Sequence, residues 1–293
     1  MKLSFTTLDV FTSTRYAGNP LAVIEVPSEH KQALTQIQKQ KIAAEFNLSE
    51  IVFLHLSAAQ EPLTEPTIDI FTPFSEVPFA GHPTVGTAFY LLNVRKDSAV
   101  ALLEKAGRLP ISSDPVTGDV KAEVPHDVHV HEVTLNCDLT DQPASCVSIV
   151  SGMTFILVPL PDLPALAKAT KHVQATEDVS ILDKGWQNGL IGTMYFVAQE
   201  EDNAGRKLYR TRMFVEGFED PGTGSASCAL ACWLALQEGE SQKHTRFAFV
   251  QGVEMGRRND ISVGVTMNEK GDGVAQVFLS GTAVKVMEGS LEV

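Results

Sequence analysis

Two apolar runs about half the chain apart open in the same way, and no other feature of the sequence limits its fold as sharply. Ala80-Gly81-His82-Pro83-Thr84-Val85-Gly86 leads into residues 82–93, and Asp220-Pro221-Gly222-Thr223-Gly224-Ser225 leads into residues 223–237. The first run carries Val85, Ala88, Phe89, Leu91 and Leu92 around most of a helical circumference. In the second, Ala226, Ala229, Leu230, Cys232, Trp233, Leu234 and Leu236 leave no wholly polar face. Helices that are apolar on nearly all sides have to be buried. Glycine, proline and small hydroxyl residues at each start leave main-chain N–H groups uncovered and the positive end of the helix dipole open to an anion. The pair predicts one site shared by two lobes, with a carboxylate-bearing small molecule as its guest.

Most of the remaining chain reads as strand. Leu3 to Val10 alternates, Gly18-Asn19-Pro20 turns the chain, and Leu21 to Val26 follows as a second strand. Residues 31–46 have helical spacing, and strands are expected at 51–56 and 67–71. A meander of short β-like runs occupies 99–135. The second half repeats the order: strands at 154–158 and 193–198, helical segments at 163–170 and 177–183, and a strand at 208–215. After the second apolar helix come strands at 246–250, 253–257, 261–266, 274–279 and 282–287. Against a prior of about 150 residues per domain, a chain of 293 residues makes two domains. The expected class is α+β: two pseudo-symmetric lobes, each a curled, mostly antiparallel sheet wrapped around a central helix. Their bounds are 1–125, with 280–293 returning to that lobe, and 126–279.

Composition removes several classes of partner. A net charge of −13, with no basic cluster beyond Arg257-Arg258, argues against nucleic acid. A small anion is not excluded, because local N–H groups decide what a pocket binds. Cys137, Cys146, Cys228 and Cys232 are too few and too irregular for a disulfide framework. The start lacks a signal-peptide stretch and no run approaches about 18 apolar residues, so a reducing, cytoplasmic setting without membrane contact is expected.

Proton transfer at carbon needs a group that holds and returns a proton, tuned by partial burial. Glu50, at the edge of an apolar strand, is the candidate, although strand-edge carboxylates are ordinarily exposed and inert. His82 lies in the first turn of a helix, where the dipole favours neutral imidazole; a satisfied helix-start histidine is the plainer account. On local grounds Asp220 reads as an N-cap. Ser225 with the N–H groups of Gly81, Gly222, Thr223 and Gly224 makes an anion cradle, unless the glycines only permit tight turns. Asn19 is a further substrate contact, or part of an ordinary Gly-Asn-Pro turn. Gly222-Thr223-Gly224-Ser225 fits neither the P-loop nor the dinucleotide fingerprint. His126, His129 and His131 with Glu132 invite a metal, but no partner at recognisable spacing completes the set. Neither a metal nor a cofactor is therefore expected. Cys228 and Cys232 read as packing residues.

Six segments in order resemble the phenazine-biosynthesis PhzF-like family, which shares the two-lobed diaminopimelate epimerase fold. They are Gly18 to Val23, Ser49 to Phe53, Phe79 to Gly86, Glu219 to Ala226, Gln251 to Arg257 and Ser280 to Val284. The resemblance implies an active site in the cleft where two helix starts face each other, with Glu50 as general acid/base and His82 and Asp220 handling substrate. It implies a cofactor-free isomerase that moves a proton on a small cyclic or amino-acid-like carboxylate, acting as a homodimer. The epimerase branch uses two cysteines at positions that here are Ala80 and Pro221, which opposes a two-thiol racemase. A non-catalytic ligand- or protein-binding module on the same fold is the alternative, since fold alone does not decide function.

Overall fold

The computed structural model describes residues 1–58, 62–173, 178–215, 217–238 and 243–293. The chain divides into two compact units, Met1–Glu123 with Ser280–Val293, and Val124–Leu279. The fold is mixed α+β, mostly sheet with few helices.

The first unit contains β1 (Lys2–Val10), β2 (Asn19–Val26), α1 (Gln36–Phe46), β3 (Ile51–His55), β4 (Ile68–Phe71), β5 (Glu76–Val77) and α2 (Gly81–Phe89). It continues through β6 (Ala101–Glu104), β7 (Gly107–Ser113) and β8 (Val120–Glu123). A sheet runs β1-β2-β3-β4-β5, and the returning chain end pairs antiparallel with β1, Lys2 opposite Glu292. Leu3, Ile24, Ile51 and Phe53 are wholly buried there, and each such side chain contributes about 1.5–3 kcal/mol on leaving water. Helix α2 is buried from Gly81 to Ala88. Gly86 lets it come close, because a Cβ there would lie 2.4 Å from Leu21 Cδ2 and 2.8 Å from Val10 Cγ2. Beyond Phe89 the helix widens into a π-helical turn, Tyr90–Arg95, stopped by Lys96 at φ 64.

The second unit contains β9 (His129–Cys137), β10 (Thr140–Val150), β11 (Met153–Pro159), α3 (Leu163–Lys168), β12 (Leu190–Ala198), β13 (Lys207–Val215) and β14 (Phe218–Asp220). Helix α4 (Gly224–Glu238) follows, then β15 (His244–Gln251), β16 (Asn259–Met267) and β17 (Val274–Gly281), whose residues from Ser280 on count with the first unit. The order β17-β16-β15-β13-β12-β11-β10-β9 forms its sheet, with β14 added to β13. Small residues such as Ala226, Ser227, Cys228 and Ala229 let α4 be buried over its first nine positions. The last strand, β18 (Ala283–Glu292), is the one that returns to β1. Among the described residues no helix is long and apolar enough to cross a membrane.

Three local expectations change. The helix expected over 31–46 begins only at Gln36, because Thr35 and Gln38 form a capping box, after a short 3-10 turn at Ser28–His30. The strand expected at 253–257 is a turn, in which Arg257 N–H and Met255 N–H both donate to the Gly252 carbonyl. The helical segment expected over 177–183 shortens to a 3-10 turn at Val179–Ile181, and residue 177 lies outside the described residues.

Candidate active site

Each unit carries one of the two helix starts. In the first, Ala80 is extended (φ −151, ψ 137) and Thr84 N–H is the earliest amide to close back, onto the Ala80 carbonyl at 3.2 Å. The amides of Gly81 and His82 precede it, so they have no carbonyl of their own helix to donate to. His82 is 3% exposed. Its Nδ1 receives the Asn19 side-chain amide at 3.4 Å and lies 3.6 Å from Glu50 Oε2. An amide nitrogen can only donate, so in the tautomer that accepts from Asn19 at Nδ1 the His82 ring proton sits on Nε2. The Glu50 approach is then a contact of charge with imidazole, too long to be a hydrogen bond. Glu50 keeps 22% of its side chain exposed at the head of β3, and the neighbouring Ser49 hydroxyl donates to Asn19 Oδ1 at 3.5 Å. Asn19, Glu50, Gly81 and His82, distant in sequence, thus meet at one end of α2.

The second start is held more elaborately. Asp220 ends β14, four residues before the first residue of α4. It is therefore not the N-cap read locally; Thr223 precedes the helix, and its carbonyl accepts from both the amide and the hydroxyl of Ser227. Asp220 instead folds over the loop, accepting the Thr223 hydroxyl at 2.5 Å and the Gly222 amide at 3.4 Å. The Thr223 amide is also engaged, donating to Gln251 Oε1 at 3.1 Å. The Gly222 and Thr223 N–H groups expected in the anion cradle thus have partners around the loop itself, while Gly224 and Ser225 in the first turn of α4 are buried.

Two residues without a predicted role build this loop. Gln251, fully buried, receives Thr223 N–H and with its own amide donates to the Asp220 carbonyl (2.8 Å) and to Thr223 Oγ1 (3.0 Å). Asn259, also fully buried, donates to the carbonyls of Pro221 and Arg257. Gly252 sits at φ +74, where a Cβ would fall 2.5 Å from the Pro221 carbonyl oxygen, so the turn after Gln251 can wrap the same loop. The one available signal was the segment Gln251 to Arg257, which carries the turn but not its partners.

Cys228 and Cys232 lie inside α4, and burial pushes both above the usual thiol range. The histidine group of β9 gains the carboxylate that the sequence reading lacked: His129, His131 and Asp183 bring one ligand-type atom each within 4.8 Å of one another. His129 Nε2 meets Asp183 Oδ2 at 2.8 Å under a stacked Trp186 ring, and Asp183 N–H donates to His131 Nδ1 at 3.2 Å. His131 Nε2 reaches Ser148 Oγ at 2.9 Å, so both of its ring nitrogens are engaged, and burial holds it below the ordinary histidine range. Glu132 brings its main-chain amide to Asp183, and His126 Nδ1 bonds the Val124 carbonyl. Asp183, 52 residues from His131, is the carboxylate that spacing could not reveal.

The mixed α+β fold is shared with solved structures described as epimerases or predicted epimerases. Residues 8–289 match the phenazine biosynthesis-like protein family (PhzC-PhzF), and the chain belongs to that family. An uncharacterized isomerase from Mesorhizobium japonicum is 31% identical, covering 97% of this chain and 96% of its own. The trans-2,3-dihydro-3-hydroxyanthranilate isomerase of Pseudomonas chlororaphis is 28% identical over 97% of each chain. The PhzF-family phenazine biosynthesis protein of Bacillus anthracis shares the fold at a TM-score of 0.76 and 21% identity, each chain covered in full. The family is one of isomerases.

Proposed function

We propose that the protein is a cofactor-independent isomerase that moves a proton on a small carboxylate-bearing cyclic or amino-acid-like metabolite. Glu50 takes and returns the proton; His82, Asp220 and Asn19 orient polar groups. First-turn amides at a helix start hold the carboxylate and stabilise charge that appears as the proton leaves. The observation that carries this reading is Glu50 Oε2 at 3.6 Å from a buried histidine at a helix start, in a chain whose relatives include isomerases. A partly exposed carboxylate can exchange protons with a ligand while the imidazole beside it orients that ligand's polar groups. The Pseudomonas chlororaphis relative acts on a dihydro-hydroxyanthranilate, which supports the substrate class. A small anionic metabolite as partner, a homodimer and a cytoplasmic location belong to the same proposal, with neither nucleic acid nor membrane.

Deuterium uptake from D2O into a panel of cyclic and amino-acid-like carboxylates, followed by NMR with wild type beside Glu50→Gln, tests it. Uptake at one carbon by the wild type, lost in the variant with ligand binding retained, is the expected result. A fully active variant removes Glu50 from the mechanism. Binding without uptake across the panel favours a non-catalytic ligand-binding module.

A further inference from the structure

Behind the start of α2 lies a carboxyl group that the proposed reaction does not use. Glu104, the last residue of β6, is 8% exposed, and its Oε1 lies 2.7 Å from the hydroxyl of Thr84 in the first turn of α2. The same hydroxyl lies 2.8 Å from the Ala80 carbonyl oxygen. A threonine hydroxyl has one proton and a main-chain carbonyl has none. Satisfying both contacts together requires the Thr84 proton to go to Ala80 and a second proton, on Glu104, to go to Thr84. The other carboxyl oxygen, Oε2, is buried with no hydrogen-bond partner among the described residues. An ionised carboxylate left so bare is far costlier than the carbonyl of a neutral acid.

The charged groups on neighbouring elements are engaged elsewhere. Lys105 pairs with Glu76, Arg108 on β7 with Glu65, Asp69 on β4 with Lys39 and His55, and His82 on α2 meets Asn19 and Glu50. Burial accordingly lifts the Glu104 acid from 4.5 to about 8, against a smaller opposing effect of the Thr84 hydrogen bond.

We propose that Glu104 is a positioning residue for the α2 start: as a neutral acid it frees Thr84 to clamp the Ala80 carbonyl directly before Gly81 and His82. When Glu104 ionises, Thr84 must turn its proton to the new anion. The clamp then opens, and a negative charge stands behind the amides that would receive an anionic substrate, opposing the positive helix end. The substrate side of this inference rests on the isomerase reading; the protonation state and its coupling to Gly81 do not.

The test is a carboxyl 13C NMR titration of protein labelled at glutamate, with Glu104 assigned by the signal missing in Glu104→Gln. The expected midpoint is about 8, with the Gly81 amide shift following the same curve. In the deuterium assay the wild-type KM should rise above that midpoint, approaching about tenfold per pH unit, with kcat less affected. Glu104→Gln, whose amide still donates to Thr84, should restore the neutral-pH KM and abolish the alkaline rise. Thr84→Val should uncouple the Gly81 shift from the Glu104 titration, which tests the clamp if the glutamine variant fails to fold. A midpoint below about 6, or an alkaline rise that persists in Glu104→Gln, overturns the proposal. If no carboxylate is turned over, the isomerase reading falls while the titration still decides the role of Glu104.

Discussion

Replacing Gln251 by leucine should cost the second unit more than any surface change, because one side-chain amide holds both ends of the Asp220–Thr223 loop. The substitution keeps the volume and removes three hydrogen bonds: from Thr223 N–H, to the Asp220 carbonyl and to Thr223 Oγ1. Gln251 is fully buried, so water does not replace them cheaply. Two main-chain groups losing a buried partner at about 1–3 kcal/mol each give a loss of roughly 2–6 kcal/mol. That is a large share of the roughly 5–15 kcal/mol typical of a folded domain. Urea unfolding followed by tryptophan fluorescence is the assay, because both tryptophans, Trp186 and Trp233, lie in the second unit. Gln251→Glu sharpens the test. An ionised glutamate still accepts from Thr223 N–H but cannot donate to the Asp220 carbonyl, so the variant should be weakest at neutral pH and partly recover on acidification. A leucine variant within about 0.5 kcal/mol of wild type, or a glutamate variant as stable as wild type at neutral pH, refutes the reasoning.

Two further perturbations test the first unit. Gly86→Ala places a methyl group 2.4 Å from Leu21 Cδ2, an overpacking expected to cost about 1–3 kcal/mol by calorimetry. Pairing it with Leu21→Val should cost less than the sum of the two single changes, since the residues compete for one space. Burial alone would raise the Asp69 carboxyl, but hydrogen bonds and charge from His55 and Lys39 outweigh it and bring the group from 3.8 to about 2. A folded value below the unfolded one means stability present above about pH 4 and lost as pH falls towards 2; after screening of the exposed part, about 1–2 kcal/mol is at stake. Asp69→Asn should flatten that loss when urea midpoints at pH 3 and pH 6 are compared.

Where the fold was legible, the signal was local. The starts of α2 and α4 fall within one residue of their expected positions because Gly, Pro and Thr act on the backbone that carries them. Alternation was a weaker guide. Val253 and Met255 alternate as a strand would, yet they are 36% and 38% exposed on a turn fixed by Gly252. In α1, Ile37 falls on the apolar helical spacing of residues 31–46, and Lys39 does not. Ile37 is 71% exposed, and Lys39 is buried against Asp69, 30 residues further on. Period says which residues share a face; it does not say what that face meets.

The candidate site divides along the same line. Asn19, Glu50, His82 and Asp220 stand in short segments whose residue types are unusual enough to be noticed singly. Gln251, Asn259, Glu104 and His131 are ordinary polar residues in or at the ends of strands, and each is defined by a partner 17 or more residues away. Buried polar groups are almost always satisfied, so burial and partner come together or not at all. A buried strand-end amide or acid therefore points to a non-local structure, and its partner states what is being held. For Gln251 that is the loop before α4, and for Glu104 the carbonyl before α2. The residues that hold the two helix starts in shape are thus the ones a sequence motif is least able to display.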